Sequence, residues 1–236
     1  MPHNNSSLEI GFGINFTLDN VAFKIKPTGG EVGQISKRIA KNKAVLNNLN
    51  DIIKFKDLIG QKGYSFCPAT FYNGIRNQDN FEQTQLMVLD FDRGISFIEV
   101  YNRAIQYSLS MLFAYETFSS IKHDKFRVLF LNDTPITDKR LAEISLNALY
   151  AIFPEADQSC NDIAKLFFGG KSLHYFDYSI PTINIESLLR NLTFYFKNEK
   201  GPTHYKRFIK SFADKHRIRL NNKGLFDISI INPRHC

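Results

Sequence analysis

An α+β fold follows from three observations on the 236-residue sequence. Short apolar runs of strand length, "LMVLDF" at 86–91 and "FRVLFL" at 126–131, alternate with segments whose apolar residues recur every three or four positions. A helix-start signal follows the first run, with Ser96 three residues before Glu99 in capping-box spacing. The order of elements from residue 86 onward reads β-α-β-β-α-β, the split-βαβ, ferredoxin-like arrangement also used by RNA-recognition (RRM-like) sheets.

Each element can be justified in turn. Residues 10–26 read as a hairpin around "LDN" at 18–20. Residues 31–60 read as one or two amphipathic helices closing at Gly60, and 64–72 as a further strand. Together, 1–85 form an N-terminal α/β unit packed beside an RRM-like core at 86–170. In that core the strand at 86–91 leads into a helix with Phe97, Tyr101, Ala104, Ile105 and Leu109 on one face. "MLFAYET" at 111–117 is the second strand, "FSSIKHDK" at 118–125 a polar connection and 126–131 the third strand. Thr137 caps a helix that carries Leu141, Ile144, Ala148, Leu149 and Ile152 on one side. "AKLFFGG" at 164–170 is the last strand. The domain spans 1–195, and 196–236 is a basic helical tail or linker.

Composition narrows the function classes. Hydrophobic residues at 43% and charged residues at 22% suit a folded core. Cys67, Cys160 and Cys236 lie far apart without a CxxC pair, which argues against a cysteine zinc cage or a disulfide framework and fits a reducing, cytoplasmic setting. The start "MPHNNSSLEI" lacks the apolar stretch of a signal peptide, and no run approaches the roughly 20 apolar residues of a membrane span. The net charge of +7 is unevenly spread: +3 over 1–85, −3 over 86–195 and +7 over 196–236. A basic tail beside an acidic middle implies a polyanion partner for the first and metal-binding carboxylates in the second.

Asp90 and Asp92 carry the chemistry. Strand side chains alternate, so both point to one face. Two such carboxylates repel unless a cation lies between them, and oxygen ligands of this kind suit Mg²⁺ or Mn²⁺, which hold substrate phosphates. Strands one and three are antiparallel neighbours in the split-βαβ order, so the turn containing Lys122 and His123 leads toward the same sheet end. A D-x-D after a strand also occurs in metal-dependent phosphatases, which stay as one alternative. There is no GxxxxGK[ST] phosphate loop.

The stretches "LMVLDFD" (86–92), "YETFSSIKHDKFRVLFL" (115–131) and "ADQSCNDIAKLFFGG" (156–170) resemble the archaeo-eukaryotic primase superfamily, closest to the primase-polymerases of plasmids, phages and integrative elements. The resemblance covers roughly 60–175. It implies a DNA primase-polymerase catalytic domain that joins NTPs or dNTPs on a DNA template with Mg²⁺ or Mn²⁺, and a helicase in a separate or missing chain. It also implies that Asp90, Asp92 and Asp157 are the catalytic, metal-binding acids, with Asp162 the alternative third acid. Nucleotide phosphates would meet His123, Lys122, Arg127 and Lys165, with Ser119 and Ser120 in the same segment. A gapless alignment on "FRV" would put Ser119 where relatives place the histidine. The basic tail residues Lys206, Arg207, Lys210, Arg217 and Arg219 would contact nucleic acid. A non-catalytic nucleic-acid-binding replication protein on the same fold is the other alternative.

Overall fold

The computed structural model describes residues 13–227. The fold is α+β, with two antiparallel sheets. β1 (Ile14–Ala22), β2 (Lys43–Leu46) and β3 (Tyr64–Cys67) form a small sheet in the order β2-β1-β3. α1 (Gly29–Ile39) and α2 (Leu49–Gly60) connect its strands. The chain then crosses at Pro68 into a five-stranded sheet: β4 (Ala69–Phe71), β5 (Phe81–Phe91), β6 (Phe113–Thr117), β7 (Phe126–Ile136) and β8 (Gly170–Phe176), in the order β4-β5-β7-β6-β8. α3 (Phe97–Gln106) follows β5, α4 (Lys139–Ile152) follows β7, and α5 (Ile185–His216) follows β8.

β5 and β7 are antiparallel neighbours, as the split-βαβ order requires, and β6 lies on the far side of β7. The fourth core strand is displaced. Phe167 in the expected last strand exchanges both backbone bonds with Phe66 of β3, at 2.8 Å each, so that segment joins the small sheet. β4 occupies the edge beside β5, and the strand proper, β8, starts at Gly170 and pairs with β6.

Other local expectations shift for identifiable reasons. The hairpin expected over 10–26 is one continuous strand from Ile14 (10–12 lie outside the described residues). Asp19, in the expected turn, is buried instead and takes two bonds from the Arg38 guanidinium, at 2.5 and 2.7 Å. The expected helical stretch 31–60 closes at Gly60 but contains β2, which pairs with β1. The second core helix is capped by Asp138, whose carboxylate accepts from Leu141 N at 3.0 Å; Thr137 lies outside it. Ser96 and Glu99 form the capping box. On α3, Val100 and Ala104 face the core while Ile105 stands exposed.

α3 and α4 cover one face of the large sheet. Phe153, at the end of α4, meets Phe91 and Phe130, and Phe97 of α3 meets Phe126 edge-on at 5.8 Å. The N-terminal unit covers the other face, where Phe55 of α2 joins Phe16, Phe66 and Phe113. Aromatic pairs of this geometry add to the burial that holds the layers together.

The boundary expected at 195/196 falls inside α5. Its backbone breaks at Gly201, with φ +72°, where a side chain would be strained. Twelve residues of straight helix would separate Phe196 from Phe208 by about 18 Å. Their rings stack at 3.4 Å, so the two arms fold back on each other. Ile209, Phe212 and Ala213 are buried, and Arg140 of α4 donates to the carbonyls of His216 and Arg217 at the helix end. The tail is thus packed on the core, with its cations outward: Lys206, Arg207, Lys210, Arg217 and Arg219 are all exposed.

Candidate active site

β-Sheet register builds the floor of the site. Asp90 of β5 lies opposite Arg127 of β7, which lies opposite Tyr115 of β6, so the three side chains form a row on one face. Arg127 Nη2 donates to Asp90 Oδ2 at 2.9 Å, and Arg127 Nη1 donates to the Phe168 carbonyl at 2.5 Å. Tyr115 Oη donates to the same carbonyl at 2.9 Å, and burial pushes its pKa up to about 12. Asp90 Oδ1 is buried and has no hydrogen-bond partner in the structure.

The segment after α4 closes one wall. Asp157 N donates to Asp90 O at 2.8 Å, which fixes this segment to the end of β5. The Asp157 carboxylate accepts from Ser159 N at 2.9 Å and Ser159 Oγ at 2.8 Å. Burial opposes its ionisation, but the Ser159 bonds outweigh that and hold its pKa below the ordinary carboxylate range. Cys160 Sγ lies 3.7 Å from Asp90 Oδ2 and 3.6 Å from Asp157 Oδ2. Burial and the Asp90 carboxylate raise the thiol's pKa to about 11, so it stays a protonated donor. Gly169 seals this wall against the N-terminal unit: a Cβ there would stand 2.5 Å from the Gly63 carbonyl carbon.

Asp90, Arg127, Asp157, Ser159, Cys160 and Gly169 line an open cleft of about 680 Å³ that also receives Asp92, Thr117, Ser119, Lys165 and Lys26, with Tyr115 buried behind Arg127. Asp92 is half-exposed, with Lys125 Nζ 3.8 Å away. Lys165 Nζ reaches the Ser159 carbonyl at 2.9 Å. Of the residues expected from sequence, the cleft therefore collects Asp90, Asp92, Asp157, Ser119, Arg127 and Lys165. Asp162 is outside it, accepting from Gln78 Nε2 and Ala164 N. Ser120 is buried, its carbonyl taken by Lys171, and Lys122 is exposed on the connecting turn.

His123 goes elsewhere. It bonds through Nδ1 to Glu116, which follows Tyr115 on β6 and so points to the opposite sheet face. Sequence reading missed Lys26, Cys160 and Tyr115. Nothing in "KIKPTGG" marks Lys26, whereas the strand pairing of Asp90 with Arg127 was available from the order of elements.

The hard oxygen donors and the unpartnered buried Asp90 Oδ1 fit a divalent cation of the Mg²⁺ or Mn²⁺ type, which takes one or two carboxylates and fills its remaining positions with water or phosphate. The three acids do not form a closed cage. Among the described residues, the one set of three His, Cys, Asp or Glu side chains whose ligand atoms all lie within 4.8 Å of one another is Glu116, His123 and His174.

No protein-family model matches the sequence, and no curated protein matches it. Among solved structures, the fold is similar to the AEP domain of the primase-polymerase (PrimPol) of cyanophage S-2L. That match has a TM-score of 0.44 and 11% identity, and covers 78% of this chain and 90% of the other. Among the described residues, no helix is long and apolar enough to cross a membrane.

Proposed function

We propose that this chain is a metal-dependent nucleotidyltransferase: the catalytic domain of a DNA primase-polymerase serving the replication of a mobile element. The observation that carries the reading is the buried, unpartnered Asp90 Oδ1 in a cleft that also holds Asp92 and Asp157 and is flanked by Lys26 and Lys165. Polyanion recognition needs those cations, and Asp90 is paired with Arg127 while Asp92 has Lys125 Nζ 3.8 Å away.

Asp90, Asp92 and Asp157 would hold the cation. Bound there, Mg²⁺ or Mn²⁺ would neutralise charge on the triphosphate and on the attacking oxygen. The chain's own residues do the positioning. Arg127 fixes the orientation of Asp90, and Ser159 holds Asp157 in place and favours its ionised form. Lys165 and Lys26 would supply counter-charge to an NTP or dNTP triphosphate, and the Ser119 hydroxyl, which also lines the cleft, would offer a further donor. The exposed cations of the second α5 arm would track template phosphates. Helicase activity would come from a partner or a further part of the protein.

The test is incorporation of radiolabelled nucleotide by the full chain on primed and unprimed DNA, with Mg²⁺ or Mn²⁺. Template-dependent incorporation supports the reading. Its absence, combined with phosphate release from a small phosphoester, would transfer the site to the metal-dependent phosphatases. A second reading, a nucleic-acid-binding replication protein without chemistry, draws on one observation: Asp90 is already neutralised by Arg127. It predicts DNA binding with no incorporation under either metal.

A further inference from the structure

On the sheet face opposite the cleft, three side chains converge without a role in the proposed chemistry. Glu116 is 4% exposed, yet its carboxylate receives three groups. Ser172 Oγ donates to Oε2 at 2.6 Å, His123 Nδ1 bonds Oε1, and His174 Nε2 lies 3.6 Å from Oε1. Glu116 of β6 pairs with Ser172 of β8, and His174 is the extra residue at the register shift just beyond, its ring turned onto Phe97 of α3 on the same face.

We propose that Glu116, His123 and His174 form a transition-metal site, selective for Zn²⁺ or Co²⁺ over Mg²⁺, that fastens the β6–β7 connection to the sheet. Two imidazoles and one carboxylate are a donor set for such ions, whereas Mg²⁺ prefers oxygen alone.

Three independent observations support it. First, His174 Nε2 is buried and has no hydrogen-bond partner, at a distance from Glu116 too long for a bond. An orphaned buried nitrogen facing a carboxylate lacks something between them. Second, the ring is locked for ligation, stacked on Phe97 at 5.4 Å with 8° between planes. Third, His123 holds a left-handed backbone, φ +59°, which a non-glycine residue adopts only at a cost. Its side chain is 77% exposed, leaving the site open to solvent for a fourth ligand. In the structure His123 Nδ1 bonds directly to Glu116, and a bound cation would take the place of that bond. Ser172 then orients the carboxylate as an outer-shell partner.

This site is independent of the proposed catalytic reading. Its position bears on the cleft all the same, because the connection it would fasten carries Ser119 on the cleft's lip at one end and His123 at the other.

The test is titration of the full metal-stripped chain with Co²⁺, followed by visible absorption, with Zn²⁺ as competitor. With millimolar Mg²⁺ present to fill the carboxylate cleft, the expected result is one equivalent giving the intense bands of a low-coordinate cobalt centre, displaced by Zn²⁺. His123→Ala, on an exposed turn, and His174→Gln should each weaken binding by more than about tenfold. Asp162→Asn, outside both sites, should leave it unchanged. No stoichiometric Co²⁺ binding by the wild-type chain, or equal binding by the two histidine variants, overturns the proposal.

Discussion

Arg127 Nη2 lies 2.9 Å from Asp90 Oδ2, with 11% and 8% of the two side chains exposed. The sequence pattern of two carboxylates on one strand face implies repulsion, relieved by removing charge. The structure corrects this for Asp90, whose repulsion is already offset by a guanidinium on the neighbouring strand. Asp90→Asn would strand a buried cation. Breaking one side of a buried pair costs about 3–5 kcal/mol. Asp92→Asn, half-exposed, should change stability by less than about 0.5 kcal/mol. Urea denaturation of both variants separates the cases, and an Asp90→Asn variant as stable as wild type would show that the pair contributes little.

The second α5 arm predicts two different outcomes for two kinds of change. Truncation at 201 removes Ile209, Phe212 and Ala213 from the core and the Phe208 ring from Phe196, so the protein should become insoluble or partly unfolded. Replacing Lys206, Arg207 and Lys210 with Gln keeps the packing and removes only exposed charge. If these cations contact single-stranded phosphates, the slope of log affinity against log salt should fall by up to about 0.7 for each. A DNA-binding series from low to high salt reads this directly. An unchanged slope would mean that the charge is merely solvated.

His216 sets a pH window for the same packing. Burial, with Lys215 and Arg140 adding to it, pushes its pKa down to about 4. The unfolded chain titrates near 6.5. Between these values the unfolded state binds more protons, so the contribution is full above about pH 6.5 and is lost as pH falls toward 4. Discounted for partial solvent access, the loss should be about 1 kcal/mol, or roughly 2–4 °C in Tm. His216→Asn should flatten the Tm profile between pH 7 and 5 by that amount. Parallel profiles would exclude His216 as the cause. The depressed carboxylates, Asp157 among them, act lower, below about pH 4.

What the sequence made legible follows physical range. The capping box at Ser96 and Glu99, the apolar run of β5 and the β-α-β-β-α-β order are local signals, and all three are present in the structure. The antiparallel β5–β7 pairing then puts Asp90 beside Arg127. Long-range competition was not legible. Arg38 straightens "LDN" by pairing with Asp19, and Phe66 captures Phe167 from the large sheet. In the candidate site, one backbone bond from Asp157 N to Asp90 O brings Asp157 to the cleft, while Asp162 lies outside it. The placement of His123 turns on strand alternation at Glu116, one residue out of phase with the buried Tyr115 beside Arg127.

The most direct test of the central claim is metal-dependent nucleotide incorporation by wild type, Asp92→Asn, Asp157→Asn and Asp162→Asn, with folding of each checked by circular dichroism. Losing a carboxylate that holds the catalytic cation should remove several kcal/mol of transition-state stabilisation, so Asp92→Asn and Asp157→Asn should fall by at least about 100-fold. Asp162→Asn, bonded to Gln78 outside the cleft, should keep most of the rate. Incorporation at the wild-type rate by folded Asp92→Asn and Asp157→Asn would contradict the account.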